Sequence, residues 1–305
     1  MFLFESLTWY SGIMWFIVLG GLIFFNELAR LSKWFSLVLF LLVPITLTIF
    51  VWPHTAGSGS PVGTWFHWVK VYSALAGCLG FLAIRFIPGL SSNKYALMFP
   101  PFILALNISE AVIRDFQCYS FNGFVDGMII MGGPWNIING IAGILSIITI
   151  TGWMGIVIGK DKKKDMIWPD MLWFWVIAYD IWNFAYVYNC VPNHSYYAGA
   201  ALLISATIPA LFIKKGTYLQ ARAQTLAIWM MFTMAFPTFA GQSIFAAHAS
   251  YNPTAFMTVS ILALAANIGV FVYTYYKIFK DKQNPFKQPI HSDLKAYQEI
   301  IEANK

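Results

Sequence analysis

Apolar runs long enough to cross a bilayer recur from one end of this chain to the other, separated by polar links. A helix rises 1.5 Å per residue, so about 20 apolar residues cover the roughly 30 Å hydrocarbon core. In lipid each backbone N–H and C=O has to find a partner inside its own segment, and a helix provides one. The runs predict spans over 8–29, 34–52, 65–87, 95–114, 134–158, 168–189, 197–213, 223–247 and 254–279. Only 10% of residues are charged, against about 25% in soluble domains, which leaves no stretch for a soluble domain. The expected fold class is all-α: a polytopic transmembrane helical bundle of about nine spans, one domain over 1–280, with a polar cytoplasmic tail over 281–305.

The charges set the expected orientation. Basic residues gather in every second link, at Arg30 and Lys33, at Arg85 and Lys94, at Lys160 to Lys164, and from Lys214 to Arg222. The same holds from Lys277 to Lys287, whereas 53–64, 115–133, 190–196 and 248–253 contain no Lys or Arg. This alternation places the N-terminus outside and the C-terminus in the cytoplasm. It also explains the net charge of +6 without nucleic acid, because the charge is dispersed as topology signals and forms no stripe. Met1 to Tyr10 lacks the basic start of a cleavable signal peptide. Pro44 and Pro237 predict kinks in their spans, and Pro169 marks the start of the sixth. The Gly-rich link 115–133 suits a short interfacial helix or a lid, and Ser292 suits the cap of a short helix reaching Glu299.

Polar residues inside the apolar runs are the candidates for function. Asp180 and Asn183 lie one turn apart among Tyr179, Trp182 and Tyr186. A carboxylate there costs several kcal/mol unless it is paired, protonated or facing a wet cavity; a polar contact that only fixes helix packing is the alternative. Lys70 and Arg114 are the two basic residues outside the cytoplasmic set. Lys70 shares a face with His67 and either snorkels to the outer headgroups or meets a carboxylate within the bundle. Asn107, Glu110 and Arg114 share a face of the fourth span, where Glu110 and Arg114 can pair, with Asp115 beyond them at the mouth. Asn136 and Asn139 follow Trp135 at the start of the fifth span, and Gln242 lies in the eighth.

All of these map between mid-membrane and the outer surface. They predict an outward-facing polar pocket lined by spans 3, 4, 5, 6 and 8, with Trp135, Tyr179, Trp182 and Tyr186 as walls. Lys70 and Arg114 against Glu110, Asp115 and Asp180 leave one spare carboxylate, which beside aromatic rings suits an organic cation. In the inner half, Asp170 reads as a first-turn charge complementing a helix dipole, and Asn267 stands alone.

His54, His67, His194 and His248 fall on the predicted outer side, but no H-x-x-x-H or H-E-x-x-H spacing is present, so no metal site is assigned. Cys78 reads as a packing residue. Cys118 and Cys190 fall in outer links, where an oxidising compartment allows a disulfide. No cofactor motif is present: there is no P-loop, dinucleotide fingerprint or nucleophile elbow.

The strings GTWFHWVKVYSALAG (63–77), NISEAVIRDFQ (107–117), GPWNIINGIAGIL (133–145) and WPDMLWFWVIAYDIWNFAYVYNCVP (168–192) resemble those of a family of bacterial multi-spanning membrane proteins of unknown function. The resemblance implies a bacterial inner-membrane location and carries no activity with it. From the residues, the expected function is binding of a small polar or amphipathic ligand from outside, by a transporter or a sensor. The alternatives are an intramembrane enzyme acting on a lipid or lipid-linked substrate at the outer leaflet, and a structural subunit whose charges pair with a partner.

Overall fold

The computed structural model describes residues 2–304. Its helices are α1 (Trp9–Leu31), α2 (Lys33–Phe50), α3 (Trp65–Phe86), α4 (Phe99–Cys118), α5 (Pro134–Ile148), α6 (Trp173–Cys190), α7 (Pro192–Ile213), α8 (Tyr218–Ala235), α9 (Pro253–Asp281) and α10 (Lys295–Glu302). Six of them, α1 to α4, α7 and α9, are long and apolar enough to cross a membrane, and α5 is apolar but shorter. That is the composition of a multi-pass helical membrane protein. The exposed faces of α1 and α2 carry Trp9, Phe16, Phe24, Trp34 and Phe50, side chains suited to lipid contact.

Three short antiparallel pairs join the helices: β1 (Phe4–Glu5) with β6 (His248–Ala249), β2 (Asn122–Val125) with β3 (Met128–Met131), and β4 (Val157–Ile158) with β5 (Met166–Ile167). The β2–β3 hairpin occupies the link where a helix or lid was expected. Asp126 (φ 53) and Gly127 (φ 76) supply the two left-handed positions of a tight hairpin turn. This hairpin marks one end of the bundle; the C-terminal tail marks the other.

Several expected boundaries shift for local reasons. α5 stops at Ile148, short of 158: the Thr149 hydroxyl donates to the Leu145 carbonyl (2.8 Å), and Gly152 turns the chain at φ 64. A Cβ on Gly152 would lie 2.7 Å from Cβ of Asp170, so only glycine fits. α8 stops at Ala235 because Pro237 drives Phe236 out of the helical region (φ −126, ψ 69); the expected kink is a terminus. Within α2 a π turn over Val38–Leu42 precedes Pro44, and the Val43 N–H donates to the Val38 carbonyl. α6 begins at Trp173, which leaves Pro169 and Asp170 in the preceding link.

The core lies where α9 packs on α5 and α6. Asn267 is buried there and is not isolated: Ser146 Oγ donates to its Oδ1 (2.6 Å), and its Nδ2 donates to the Ala178 carbonyl (3.2 Å). Gly143 permits close approach of α4 and α6, since a Cβ would meet Val112 Cγ2 at 2.5 Å and Trp182 Nε1 at 2.8 Å. On the other side of the bundle α8 packs against α3, α7 and α1.

The polar tail is docked on the body. Asp170 is no dipole partner; it accepts from the backbone N–H of Ile290 (3.0 Å) and His291 (2.8 Å) and from Thr151 Oγ1 (2.6 Å). Lys277 pairs with Asp293, and Ile300 of α10 packs on Ile167 and Leu172. The helix in the tail starts after Leu294 without a side-chain cap, so Ser292 does not cap it. At the same end Asp165 is fully buried against Arg30 (2.9 Å) and Arg85 (3.8 Å), pinning the basic link 160–165 to α1 and α3.

Candidate functional site

Five helices, α3, α4, α6, α7 and α8, line a cavity of about 60 Å³. Helical spacing explains which side chains reach it. α6 contributes Tyr179, Asn183 and Tyr186 at i, i+4 and i+7, and α8 contributes Arg222, Leu226, Trp229 and Thr233 at i, i+4, i+7 and i+11. α3 adds Phe66, His67 and Lys70, α4 adds Asn107, and α7 adds His194, Ala198 and Leu202. The set differs from the expected one in two helices: α7 enters and α5 does not.

Lys70 is satisfied. Its Nζ lies 2.8 Å from Glu110 Oε2, donates to the Asn107 carbonyl at 2.9 Å, and sits 5.5 Å over the Phe66 ring. It therefore takes the inward reading and does not snorkel. Glu110 pairs with Lys70 and not with Arg114, which instead reaches Asp126 of the hairpin turn (2.8 Å) across the Phe121 ring. Arg114 is thus a tether of the β2–β3 hairpin and does not line the cavity.

Arg222 is the opposite case. It is 5% exposed, and its Nη2 makes one long bond, to Asn183 Oδ1 at 3.3 Å. Its Nε and Nη1 have no hydrogen-bond partner, and among the described residues no carboxylate lies within ion-pair distance of it. Asp180, one of the carboxylates expected in the pocket, is held by two hydroxyls: Tyr218 Oη donates to Oδ1 and Thr207 Oγ1 donates to Oδ2, each at 2.5 Å. It does not line the cavity. The spare charge at the cavity wall is therefore a guanidinium and not a carboxylate, which removes the basis for an organic cation.

The remaining candidates form a second, closed cluster between α4, α5 and α6. Its centre is Asp115, fully buried and not at a mouth. Asn139 Nδ2 donates to it at 2.7 Å, Asn136 Nδ2 at 3.3 Å and Cys190 Sγ at 3.2 Å. Asn136 Oδ1 also accepts from the Gly133 N–H at 3.1 Å, capping α5. Trp182 donates through Nε1 to the Asn139 carbonyl (3.1 Å), and Trp135 donates to the Met131 carbonyl (3.1 Å) while stacking on Phe256. These residues position helices. Gln242 lies exposed in the single turn Phe239–Gln242 beyond α8, away from the cavity.

Cys118 and Cys190 are both buried and, like Cys78, free; the expected disulfide is absent, and the Cys190 thiol serves Asp115 instead. His67 and His194 approach at the cavity, with ring centroids 6.0 Å apart, and the Thr64 hydroxyl lies 2.8 Å from His67 Nδ1. Among the described residues no three His, Cys, Asp or Glu side chains gather as metal ligands.

The residue that sequence reasoning misplaced is Arg222, grouped with Lys214 and Lys215 as a topology signal. The usable sign was the break at Gly216-Thr217 followed by Leu219-Gln220-Ala221-Arg222-Ala223-Gln224, all strong helix formers. They start the helix before the arginine and carry it inside.

Comparison with curated proteins and with solved structures gives no match. Residues 5–303 match the family described as "Family of unknown function (DUF5692)", and over that span, which takes in every helix of the fold, the chain belongs to this family.

Proposed function

We propose that this protein binds a small polar or amphipathic ligand in the cavity between α3, α4, α6, α7 and α8, as a transporter or as a sensor. The lining combines apolar walls with a few convergent polar groups, the make-up of small-molecule sites. The observation that carries the reading is Arg222: a buried guanidinium with two partnerless nitrogens at a cavity wall. Such a group costs folding energy unless water or a ligand completes it.

We further propose that the chain crosses the bacterial inner membrane nine times, with the hairpin end outside. Two observations support this: the links at the hairpin end hold no Lys or Arg, and the tail end holds the basic clusters. A cysteine at Phe124, 77% exposed at the hairpin, should react with a membrane-impermeant maleimide on intact cells, and one at Lys280 should not. The reverse pattern refutes the orientation.

The test of the binding reading is a thermal-shift screen of small polar and amphipathic solutes against the protein in lipid nanodiscs. Ligands that occupy the cavity should stabilise the native protein and fail to stabilise Ala198→Phe, which fills it. Equal stabilisation of both proteins refutes the reading.

A further inference from the structure

We infer that the ligand of this cavity is an amphipathic organic anion, its charged group seated on Arg222 and its apolar body against Trp229, Tyr186 and Leu226. This inference rests on the proposed binding role of the cavity and narrows it to one chemical class.

The argument is one of matching charges. Two permanent cations line the cavity, Lys70 and Arg222. Lys70 is neutralised by Glu110 at 2.8 Å and has a second acceptor in the Asn107 carbonyl. Arg222 has neither: its bond to Asn183 is 3.3 Å long, the Tyr179 hydroxyl that interacts with it carries no charge, and Nε and Nη1 are unpartnered at 5% exposure. The carboxylate best able to quench it, Asp180, is engaged by Tyr218 and Thr207 on both oxygens. The protein thus withholds its own anion and leaves the guanidinium open.

A guanidinium offers planar donors that suit carboxylate, sulfonate or phosphate oxygens, and its charge-assisted bonds are roughly twice as strong as neutral ones. An ammonium ligand would be repelled by the same group, and a neutral one would leave it unpaired. Most of the rest of the wall is aromatic and aliphatic, a lining that a small inorganic anion would leave without contact. An apolar body on an anionic head matches both parts of the lining.

The class has two possible sources, a soluble organic acid and an anionic membrane lipid. The experiment uses three probes of one shape: benzoate, benzamide and benzylammonium. Each is titrated calorimetrically into the full chain in phosphatidylcholine nanodiscs. Benzoate should bind at least about tenfold tighter than either analogue, equivalent to about 1.4 kcal/mol. Arg222→Gln should erase this preference and keep the benzamide affinity, and Arg222→Lys should keep the sign of the preference at reduced size.

Equal or stronger binding of benzamide or benzylammonium overturns the anion inference and leaves the cavity reading standing. Unchanged binding to Ala198→Phe, or no binding of any probe in the millimolar range, overturns both. Adding phosphatidylglycerol to the nanodiscs then assigns the source. Competition with benzoate supports the anion class with a lipid as its source, and no competition supports it with a soluble acid.

Discussion

Replacing Arg222 by methionine should make the protein more stable. The substitution keeps an unbranched apolar stem and deletes the guanidinium. What is lost is one 3.3 Å bond to Asn183, worth about 1 kcal/mol at most. What is relieved is the burial of Nε and Nη1 without partners, at about 1–3 kcal/mol each. The balance is a gain of about 1–5 kcal/mol, with the lower end applying if water wets the cavity and solvates the head group. At roughly 2 °C per kcal/mol for a chain of this size, the unfolding temperature should rise by several degrees. The assay is thermal unfolding in nanodiscs without ligand, followed by near-UV circular dichroism at one fixed scan rate, because unfolding of membrane proteins is often irreversible and rate-dependent. The same variant should lose its preference for benzoate, which is the exchange of stability for function expected at a binding site. A fall in unfolding temperature would refute the reasoning: the guanidinium would then have a structural partner, with the Tyr179 hydroxyl as the first suspect and Asp180 as the second.

Three more outcomes follow from particular contacts. Asp115→Ala strands three buried donors, from Asn136, Asn139 and Cys190, and should cost about 3–5 kcal/mol in the same unfolding assay; a loss below about 1 kcal/mol would deny the cluster its structural role. Glu110→Gln should cost a similar amount by leaving Lys70 buried and unpaired, and the double change with Lys70→Met should recover most of it; additive losses would mean the pair is not coupled. The docked tail should respond to acid: burial, aided by the Lys277 charge, holds His291 below its ordinary 6.5 against the pull of Asp170 and Asp293, so the undocked imidazole takes a proton first. Docking is therefore complete above about pH 6.5 and weakens as pH falls below it. The bond from Lys277 holds Asp293 below the usual carboxylate range, which adds a second loss only as pH falls below about 4. Protection of the amides over residues 283–304, exchange being corrected for its intrinsic pH dependence, should fall from about pH 7.5 to about pH 5.5, and His291→Phe should flatten that fall; an unchanged profile in the variant removes the imidazole as the cause.

The helical plan was readable because bilayer thickness and backbone satisfaction leave a single-pass apolar run few choices. The boundaries that shifted are those set by long-range partners. Gly152 ends α5 because Asp170 packs against it, and Asp170 looked like a helix-start charge because its true partners, the amides of Ile290 and His291, lie 120 and 121 residues away. Within the site, Lys70, His67, Asn107, Asn183, Tyr179 and Tyr186 were identified by their polarity in apolar surroundings, and the cavity gathers them. Asn136, Asn139 and Trp182 carried the same signal and serve a buried carboxylate instead. Polarity within a span marks a residue that needs a partner; it does not distinguish a partner in the protein from one that arrives by diffusion. Arg222 escaped notice for the converse reason, since a basic residue beside Lys214 and Lys215 already had an explanation.

The hydroxyls on Asp180 connect these points. Tyr218 and Arg222 stand one turn apart on α8, and Tyr218 reaches Asp180 while Arg222 faces the cavity. With both carboxylate oxygens occupied at 2.5 Å, Asp180 has little reason to turn toward the guanidinium. Removing both donors, in Tyr218→Phe with Thr207→Val, leaves a carboxylate whose best remaining partner is Arg222. The protein's own anion would then compete for the seat, and benzoate affinity should fall by about tenfold, or about 1.4 kcal/mol, the size of one hydrogen bond to a charged group. Stability should fall by less than the loss of two such bonds, because the new ion pair returns part of it. Calorimetry and thermal unfolding on the same preparation read both effects. An unchanged benzoate affinity together with the full stability loss would mean that Asp180 does not reach Arg222, and that the open guanidinium owes nothing to the hydroxyls that hold the carboxylate.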